Sequence, residues 1–371
     1  MTLDAIMRVP YLALDRHFDH DELAAALRSH LTNTDFVLGE SVTRFEQEFA
    51  RLSGSEYAVG VNSGTDALFL ALKALDIGPG DEVVTAPNSF IATAGAIVAA
   101  GARPVFADVG ADYNLDPERV AAAITPRTRA ILPVHLTGNP APMPTLLALA
   151  GQRGLALIED AAQAVAATLD GKSVGAFGSA GCFSLHPLKN LPVGGDGGVV
   201  TTSSAELAER LRRLRNHGLR NRDEIAHFGF NSRLDSMQAT IARFGLARLA
   251  AITESRRRHA ARYDALLAGV GGVVIPPRRA NAHQVFHTYV VQVEARDALM
   301  TYLAGQGIDT KIHYPIPIHL QAPCRDLGYG PGDFPVCEDQ ARRILSLPIN
   351  EHLTDAQIDH VADCIRRFYS H

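Results

Sequence analysis

Residues 155–163 read LALIEDAAQ, and the fold can be predicted outward from this stretch. Its first four residues are apolar without alternation, which is typical of a β-strand that is covered on both faces. A carboxylate at Asp160 and an amide at Gln163 follow where the strand ends. In open α/β sheets, ligands bind at the carboxyl ends of strands, and a carboxylate there can hold a cationic ring nitrogen. The alternative is that Asp160 only caps a helix.

Short apolar runs of the same kind occur on both sides of this stretch, and helical patterns lie between many of them. This alternation is typical of an α/β fold with a mostly parallel sheet. The predicted strands are Tyr57–Val61, Glu82–Ala86, Pro104–Ala107, Ala130–Val134, Leu155–Ile158, Gly181–Ser184 and Gly198–Thr202.

The 371 residues suggest two or three structural units. We predict a large domain over residues 1–245, with an N-terminal helical segment, and a smaller C-terminal α+β domain over 246–371. A basic run at 256–259 follows a long helical pattern, and we interpret it as a solvated helix face.

Composition excludes several classes of protein. The net charge is −5, which argues against a broad nucleic-acid-binding surface. No apolar run reaches the roughly 18 residues that span a bilayer, and the four cysteines do not have the spacing of a zinc site. Residues 1–10 lack the layout of a signal peptide. We therefore expect a cytoplasmic protein without a metal, a membrane or a nucleic-acid partner.

Residues 62–66 read NSGTD and stand between a predicted strand and a strongly apolar helical stretch. A glycine there lets the backbone approach a ligand, and the first turn of the helix offers free N–H groups to an anion such as phosphate. An ordinary helix cap by Ser63 or Thr65 is the alternative.

Residues 184–190 read SLHPLKN and place Lys189 in a turn directly after a strand. Lysine normally avoids protein interiors, and one held near a cationic ring can have a lowered pKa and act as a nucleophile. The alternative is a surface lysine. The following GGDGG at 194–198 is either a second phosphate cradle or a tight turn. A phosphate site, a carboxylate for a ring nitrogen and a reactive lysine are together what pyridoxal 5′-phosphate requires.

The sequence resembles the sugar aminotransferases of the DegT/DnrJ/StrS family, a branch of the fold-type I (aspartate aminotransferase-like) enzymes that depend on pyridoxal phosphate. The resemblance covers nearly the whole chain. It is carried by FVLG at 36–39, FE at 45–46, SGTDAL at 63–68, GDEV at 80–83, EDAAQ at 159–163, KNL at 189–191, GDGG at 195–198, RNHG at 215–218, GFNSR at 229–233 and HYPIPIH at 313–319.

The resemblance implies roles for these residues. Lys189 forms the Schiff base with the cofactor and moves the proton, and Asp160 pairs with the ring nitrogen. Gln163 contacts the ring hydroxyl, and Phe90 stacks on the ring face.

The phosphate is expected to lie on Gly64, Thr65 and Ser184. Asn231 is expected to reach the phosphate bound by a second subunit, which implies a homodimer with shared active sites. Candidate substrate contacts are His186, Tyr314 and His319.

The implied function is transfer of an amino group, from L-glutamate by family resemblance, to a keto nucleotide-sugar. Some relatives have histidine in place of Lys189 and are sugar dehydratases, so lysine favours transamination over that alternative. The GDGG motif favours a 3-keto sugar, whereas a glutamate at Asp196 is commoner in relatives that act on 4-keto sugars or keto-inositols. A non-catalytic regulator is the third alternative. Arg220, Arg222 and Lys311 are candidate contacts for the nucleotide diphosphate.

Overall fold

The computed structural model describes residues 7–16 and 20–370. Part of the N-terminal segment used for the cytoplasmic expectation, residues 1–6, lies outside the described residues. The strands are β1 (Tyr57–Val61), β2 (Glu82–Thr85), β3 (Arg103–Phe106), β4 (Thr128–Leu132), β5 (Ala156–Asp160), β6 (Thr168–Leu169), β7 (Lys172–Ser173), β8 (Ala180–Ser184), β9 (Gly198–Thr202), β10 (Val273–Val274), β11 (Ala282–His283), β12 (Tyr289–Val293) and β13 (Ile344–Leu347).

The α-helices are α1 (His20–Asn33), α2 (Glu40–Ser53), α3 (Gly64–Ala74), α4 (Ile91–Ala100), α5 (Pro117–Ala123), α6 (Met143–Arg153), α7 (Ala205–Leu214), α8 (Ser236–Leu246), α9 (Leu249–Leu267), α10 (Arg296–Gly305), α11 (Pro335–Arg343) and α12 (Asp355–Tyr369). Among the described residues, no helix is both long and apolar enough to cross a bilayer.

A seven-stranded sheet with the order β1-β9-β8-β5-β4-β2-β3 forms the centre of the molecule. All seven predicted strands belong to it, with ends that differ by no more than two residues. Neighbouring strands are parallel except at β9, which is antiparallel to both β1 and β8. The mostly parallel α/β fold is therefore confirmed, and β9 is its one reversed strand.

Apolar helices cover both faces of this sheet. Helix α3 buries Leu68, Leu70 and Leu72 almost completely, because its sequence is apolar on nearly every side. On the other face, Phe45 and Phe49 of α2 pack with α8 and with Phe183 of β8. The sheet is thus enclosed, and its strand ends are where polar side chains can meet a ligand.

A second sheet, β10-β12-β13, lies in the part of the chain expected to form the smaller unit. It packs with α9, α10 and α12 around a core of its own. Helix α12 begins at a capping box between Thr354 and Gln357, in which each side chain accepts the other residue's backbone N–H.

The interpretation of residues 256–259 as a solvated face is wrong for Arg256 and His259, which are buried, whereas Arg258 is exposed as expected. Arg256 is only 1% exposed and donates to the carbonyl oxygens of Phe286 and Ile349. Its guanidinium also lies 3.0 Å from Glu351, and His259 is buried beside it. A buried arginine is tolerated here because several acceptors surround its fixed fork of donors.

Candidate active site

A cavity opens at the carboxyl ends of the parallel strands and has a volume of about 1020 Å³, including its open mouth. Nine of the predicted site residues line it: Gly64, Thr65, Phe90, Asp160, Gln163, Ser184, His186, Lys189 and Tyr314. The rule that open α/β sheets bind ligands at this edge accounts for their convergence.

Asp160 is the last residue of β5, and its carboxyl group is buried against the wall of the cavity. Thr93 Oγ1 donates to one oxygen at 2.7 Å, and the Ala162 N–H donates to the other at 3.1 Å. Burial raises the pKa of Asp160, and these two hydrogen bonds only partly offset that effect. A cationic ring nitrogen beside it would supply an opposite charge that stabilises the ionised form of this buried carboxylate.

Lys189 lies in the turn after β8, where its N–H donates to the His186 carbonyl at 2.8 Å. The side chain points into the same cavity as Asp160. Burial lowers the pKa of Lys189 to about 8, although the charge of Asp160 acts in the opposite direction. The amine is therefore far closer to its neutral, nucleophilic form at physiological pH than a surface lysine is.

This pKa predicts how the apoenzyme attaches pyridoxal phosphate. Only the neutral amine attacks an aldehyde, so the rate should rise as the pH passes through about 8 and become level above it. Between pH 7 and pH 9 we expect roughly a tenfold increase, as the neutral fraction goes from about 9% to about 91%. Stopped-flow absorbance of the bound cofactor measures this. A rate that still climbs steeply above pH 10 would contradict the prediction.

The predicted phosphate cradle lies where β1 leads into α3. Ser63 caps the helix by accepting the Asp66 N–H at 3.0 Å. Gly64 and Thr65 line the cavity at the positive end of the helix dipole, and within the described chain their N–H groups have no backbone acceptor. A Cβ atom at Gly64 would lie 2.6 Å from Ser184 Cβ, so only glycine lets these two parts of the cradle approach so closely.

Gln163 has a fixed orientation. Its Oε1 accepts the Thr137 N–H at 2.7 Å, which leaves the Nε2 amide to donate into the cavity. Tyr314 also lines the cavity, where burial raises the pKa of its hydroxyl to about 12 against the opposing effect of Gln163. Phe90 is half-exposed, and its ring lies 5.7 Å from that of Tyr314. An amide donor and an exposed aromatic face fit a ring that bears a hydroxyl group.

Two predicted residues do not line the cavity of their own chain. His319 is 2% exposed and lies 3.1 Å from Glu338, packed edge-on against Phe334. The short helical turn Ile318–Leu320 directs its ring inward, so its position does not fit a substrate contact. Asn231 is exposed and pairs through its backbone with Asn216, outside the cavity.

Sequence reasoning missed four polar residues that line the cavity, which are Ser89, Thr93, His287 and His313. Thr93 supports Asp160 from α4, and its position after β2 is a signal that could have been used. His287 and His313 line the cavity beside Lys189. Burial and the nearby lysine charge lower the pKa of both, that of His313 to about 4. Because His287 and His313 are about 100 residues or more from Lys189 in the sequence, no local pattern predicts that they lie close to it.

A mostly parallel sheet with a buried carboxylate and a low-pKa lysine at its strand ends is the arrangement of a pyridoxal-phosphate-dependent enzyme. A sequence model of the DegT/DnrJ/EryC1/StrS aminotransferase family matches residues 18–366. The chain belongs to this family. Pyridoxal 5′-phosphate is therefore its cofactor, and the cradle, Asp160, Gln163 and Lys189 together fit that group.

Individual relatives are similar over almost their whole length. The chain is 46% identical to UDP-N-acetyl-3-dehydro-alpha-D-glucosamine 3-aminotransferase of Acidithiobacillus ferrooxidans, covering 97% of each chain. It is 42% identical to a "Pleiotropic regulatory protein" of Geobacillus stearothermophilus, covering 98% of this chain and all of that one. The solved structure of DesV from S. venezuelae, in complex with a ketimine intermediate, has a TM-score of 0.96 at 44% identity. It covers 98% of this chain and 99% of that one.

Proposed function

We propose that this aminotransferase moves an amino group from L-glutamate to a nucleotide-linked sugar with a keto group at carbon 3. The observation that supports it best is that a lysine of lowered pKa and a buried carboxylate line one cavity. The family model that matches residues 18–366 of the chain agrees with this observation. The name of the Acidithiobacillus relative supports a 3-keto nucleotide sugar as acceptor.

The bound cofactor supplies an electron sink and carries the amino group between the two substrates. The residues of the chain orient it and move protons. Asp160 holds the ring nitrogen protonated, and the Gln163 amide donates to the ring hydroxyl oxygen. Phe90 covers one face of the ring. Lys189 Nζ takes the proton from the α-carbon of the donor, and in the second half it returns a proton to the sugar carbon that receives the amino group.

Substrate contacts are proposed at the mouth of the cavity. His186 is exposed there, and Tyr314 lies opposite on a loop from the C-terminal part of the chain. A diphosphate needs cations, for which exposed Arg220, Arg222 and Lys311 are candidates. Lys311 Nζ lies 3.0 Å from Asp309, so this lysine would exchange that carboxylate for a phosphate.

We also propose a homodimer with shared active sites. The segment between α7 and α8 exposes Phe228 almost fully, at 98%, and Ile225 at 65%. Exposed large apolar side chains of this kind mark interaction surfaces, and closed two-fold pairing is the commonest homo-oligomer. Asn231 belongs to the same segment, so this pairing would bring it to the partner's phosphate. A cytoplasmic location is proposed from the sequence alone.

A regulatory role is the second candidate, since one relative bears the name of a regulator. The complete set of Asp160, Gln163, Ser184 and Lys189 in one cavity favours an enzyme. A sugar dehydratase is less favoured because Lys189 is present.

The proposed function is tested by a panel of acceptors. Enzyme loaded with pyridoxamine phosphate is mixed in single turnover with 3-keto and 4-keto nucleotide sugars, and return of the pyridoxal absorbance is followed. We expect return with the 3-keto sugar, and formation of 2-oxoglutarate when L-glutamate reloads the enzyme. Return with the 4-keto sugar alone would overturn the regiochemistry. Loss of water or ammonia without consumption of a donor would identify the dehydratase, and no response to any sugar would favour the regulator.

A further inference from the structure

Glu159 is a fully buried carboxylate that does not line the cavity. Strand alternation turns it away from Asp160, its neighbour on β5. One oxygen accepts the N–H groups of Phe177 and Gly178 at 2.7 and 2.9 Å. The other accepts from Gly175 N–H at 2.7 Å and faces His135 Nε2 at 3.1 Å. Four donors thus surround one carboxylate.

The ring of His135 is held as one tautomer. Its Nδ1 accepts the Ala141 N–H at 2.9 Å, and a nitrogen that accepts a hydrogen bond carries no proton. The proton therefore lies on Nε2 and is donated to Glu159. The pair consists of a neutral imidazole and a carboxylate, joined by a directed hydrogen bond rather than by two opposite charges.

This pair reaches the cofactor residues through the backbone of residues 133–141. Asp160 N–H donates to the Pro133 carbonyl, and His135 N–H donates to the Asp160 carbonyl, at 2.9 and 3.0 Å. Thr137, with φ of 63°, then presents its N–H to Gln163 Oε1. A threonine in this left-handed conformation is unfavourable by itself, so the surrounding contacts must hold it.

Glu159 also holds the turn that precedes β8. A Cβ at Gly178 would lie 2.2 Å from the Leu157 carbonyl oxygen, so this turn is pressed directly onto β5. Strand β8 continues from it to Ser184, which is part of the cradle. One carboxylate therefore links the turn before Ser184 with the segment that orients Gln163.

We propose that His135 and Glu159 are positioning residues, which fix the Thr137 N–H so that the Gln163 amide donates to the ring hydroxyl of the cofactor. Neither residue lines the cavity. The inference rests on the proposed contact between Gln163 and the cofactor.

A double-mutant cycle with His135→Phe and Gln163→Ala tests the proposal in the holoenzyme. The readouts are the pH midpoint of the absorbance change of the bound cofactor and the dissociation constant for pyridoxal phosphate. We expect each single variant to shift the midpoint in the same direction and to weaken binding about tenfold, the effect of one lost hydrogen bond to a polar group. The double variant should go no further than Gln163→Ala, because His135 acts through Gln163.

His360→Phe is the matched control, since the Nε2 of this half-buried histidine also donates a hydrogen bond, to the Gln306 carbonyl at 3.2 Å, but the residue lies on α12, away from the cavity. It should leave both readouts unchanged. Additive shifts in the double variant would overturn the proposal. An unchanged midpoint in Gln163→Ala would overturn both the cofactor contact and the positioning role, whereas the acceptor panel decides the proposed reaction separately.

A measurement on the wild-type protein covers the case in which His135→Phe does not fold. In protein labelled with ¹⁵N at histidine, the His135 nitrogen shifts at pH 7.5 should be those of a neutral ring protonated at Nε2. A ring protonated at Nδ1, or at both nitrogens, would overturn the proposal.

Discussion

Lys189→Ala is expected to lower turnover of keto sugar and glutamate by at least about 10⁴-fold. The variant loses both the nucleophile that attaches the cofactor and the base that moves the proton, and proton transfer alone contributes about 10²- to 10⁴-fold. Among the described residues that line the cavity, no second lysine can replace it. Formation of 2-oxoglutarate measures the first half-reaction, and borohydride-sensitive absorbance of the cofactor measures the attachment.

Lys172→Ala is the matched control for this variant. Lys172 lies on the short hairpin β6–β7, with its ammonium 4.9 Å from the centre of the Phe177 ring, and does not line the cavity. Its removal should leave turnover within about twofold of wild type, since surface substitutions rarely propagate. Wild-type turnover by Lys189→Ala would remove the basis of the assignment to an active aminotransferase.

The sequence was informative about the residues that follow strands. Asp160 and Lys189 stand 29 positions apart, yet both were expected at one site because parallel strands bring their carboxyl ends to the same edge. The same rule applies to Gly64, which follows β1. The positions of these residues can be predicted from the sequence because local pattern and sheet topology together determine them.

Residues from the C-terminal part of the chain could not be placed in this way. His287 and His313 reach Lys189 only because the chain after β11 packs back onto the large sheet, and periodicity does not encode such long-range packing. Arg256 shows the opposite case. A basic run predicts side chains exposed to solvent, whereas the Arg256 guanidinium is buried and donates to carbonyl oxygens of two segments that are distant in sequence. His319 was assigned from its motif, and a single helical turn directs it away from the cavity.

Glu159 and Asp160 show what the sequence leaves open even at a well-predicted strand. Adjacent carboxylates on a β-strand point to opposite faces, so only one of them can face the ligand. Asp160 faces the cavity, whereas Glu159 accepts four N–H donors behind it. The residues Glu159 and Asp160 predict an acidic strand end, but the sequence does not predict which of them faces the cavity and which is held by backbone N–H groups behind it.

Asp160→Asn is expected to lower turnover by about 10²- to 10³-fold, the usual effect of removing one preorganised electrostatic group from an active site. The amide has the same shape: its oxygen can accept the Ala162 N–H, and its nitrogen can donate to Thr93 Oγ1. Folding should therefore be preserved while the charge that keeps the ring nitrogen protonated is lost. Thr93→Val, which removes the hydrogen bonds of Thr93 Oγ1 to Asp160 and to the Ser89 hydroxyl but keeps the carboxylate, should cost only about tenfold.

Asp160→Asn has a second expected effect, on the pKa of the Lys189 amine. The negative charge of Asp160 raises the pKa of Lys189 against the lowering effect of burial. Its removal should bring that pKa below about 8, so the midpoint for attachment of pyridoxal phosphate should move to lower pH in Asp160→Asn and remain in place in Thr93→Val. Stopped-flow absorbance of the wild-type, Asp160→Asn and Thr93→Val apoenzymes across pH 6 to 10 measures the midpoint of each protein. Because lower turnover would then accompany faster attachment at neutral pH, the two effects separate the role of Asp160 toward the ring from its role toward the lysine. An upward shift of the midpoint in Asp160→Asn would show that the carboxylate does not act on Lys189 as a charge.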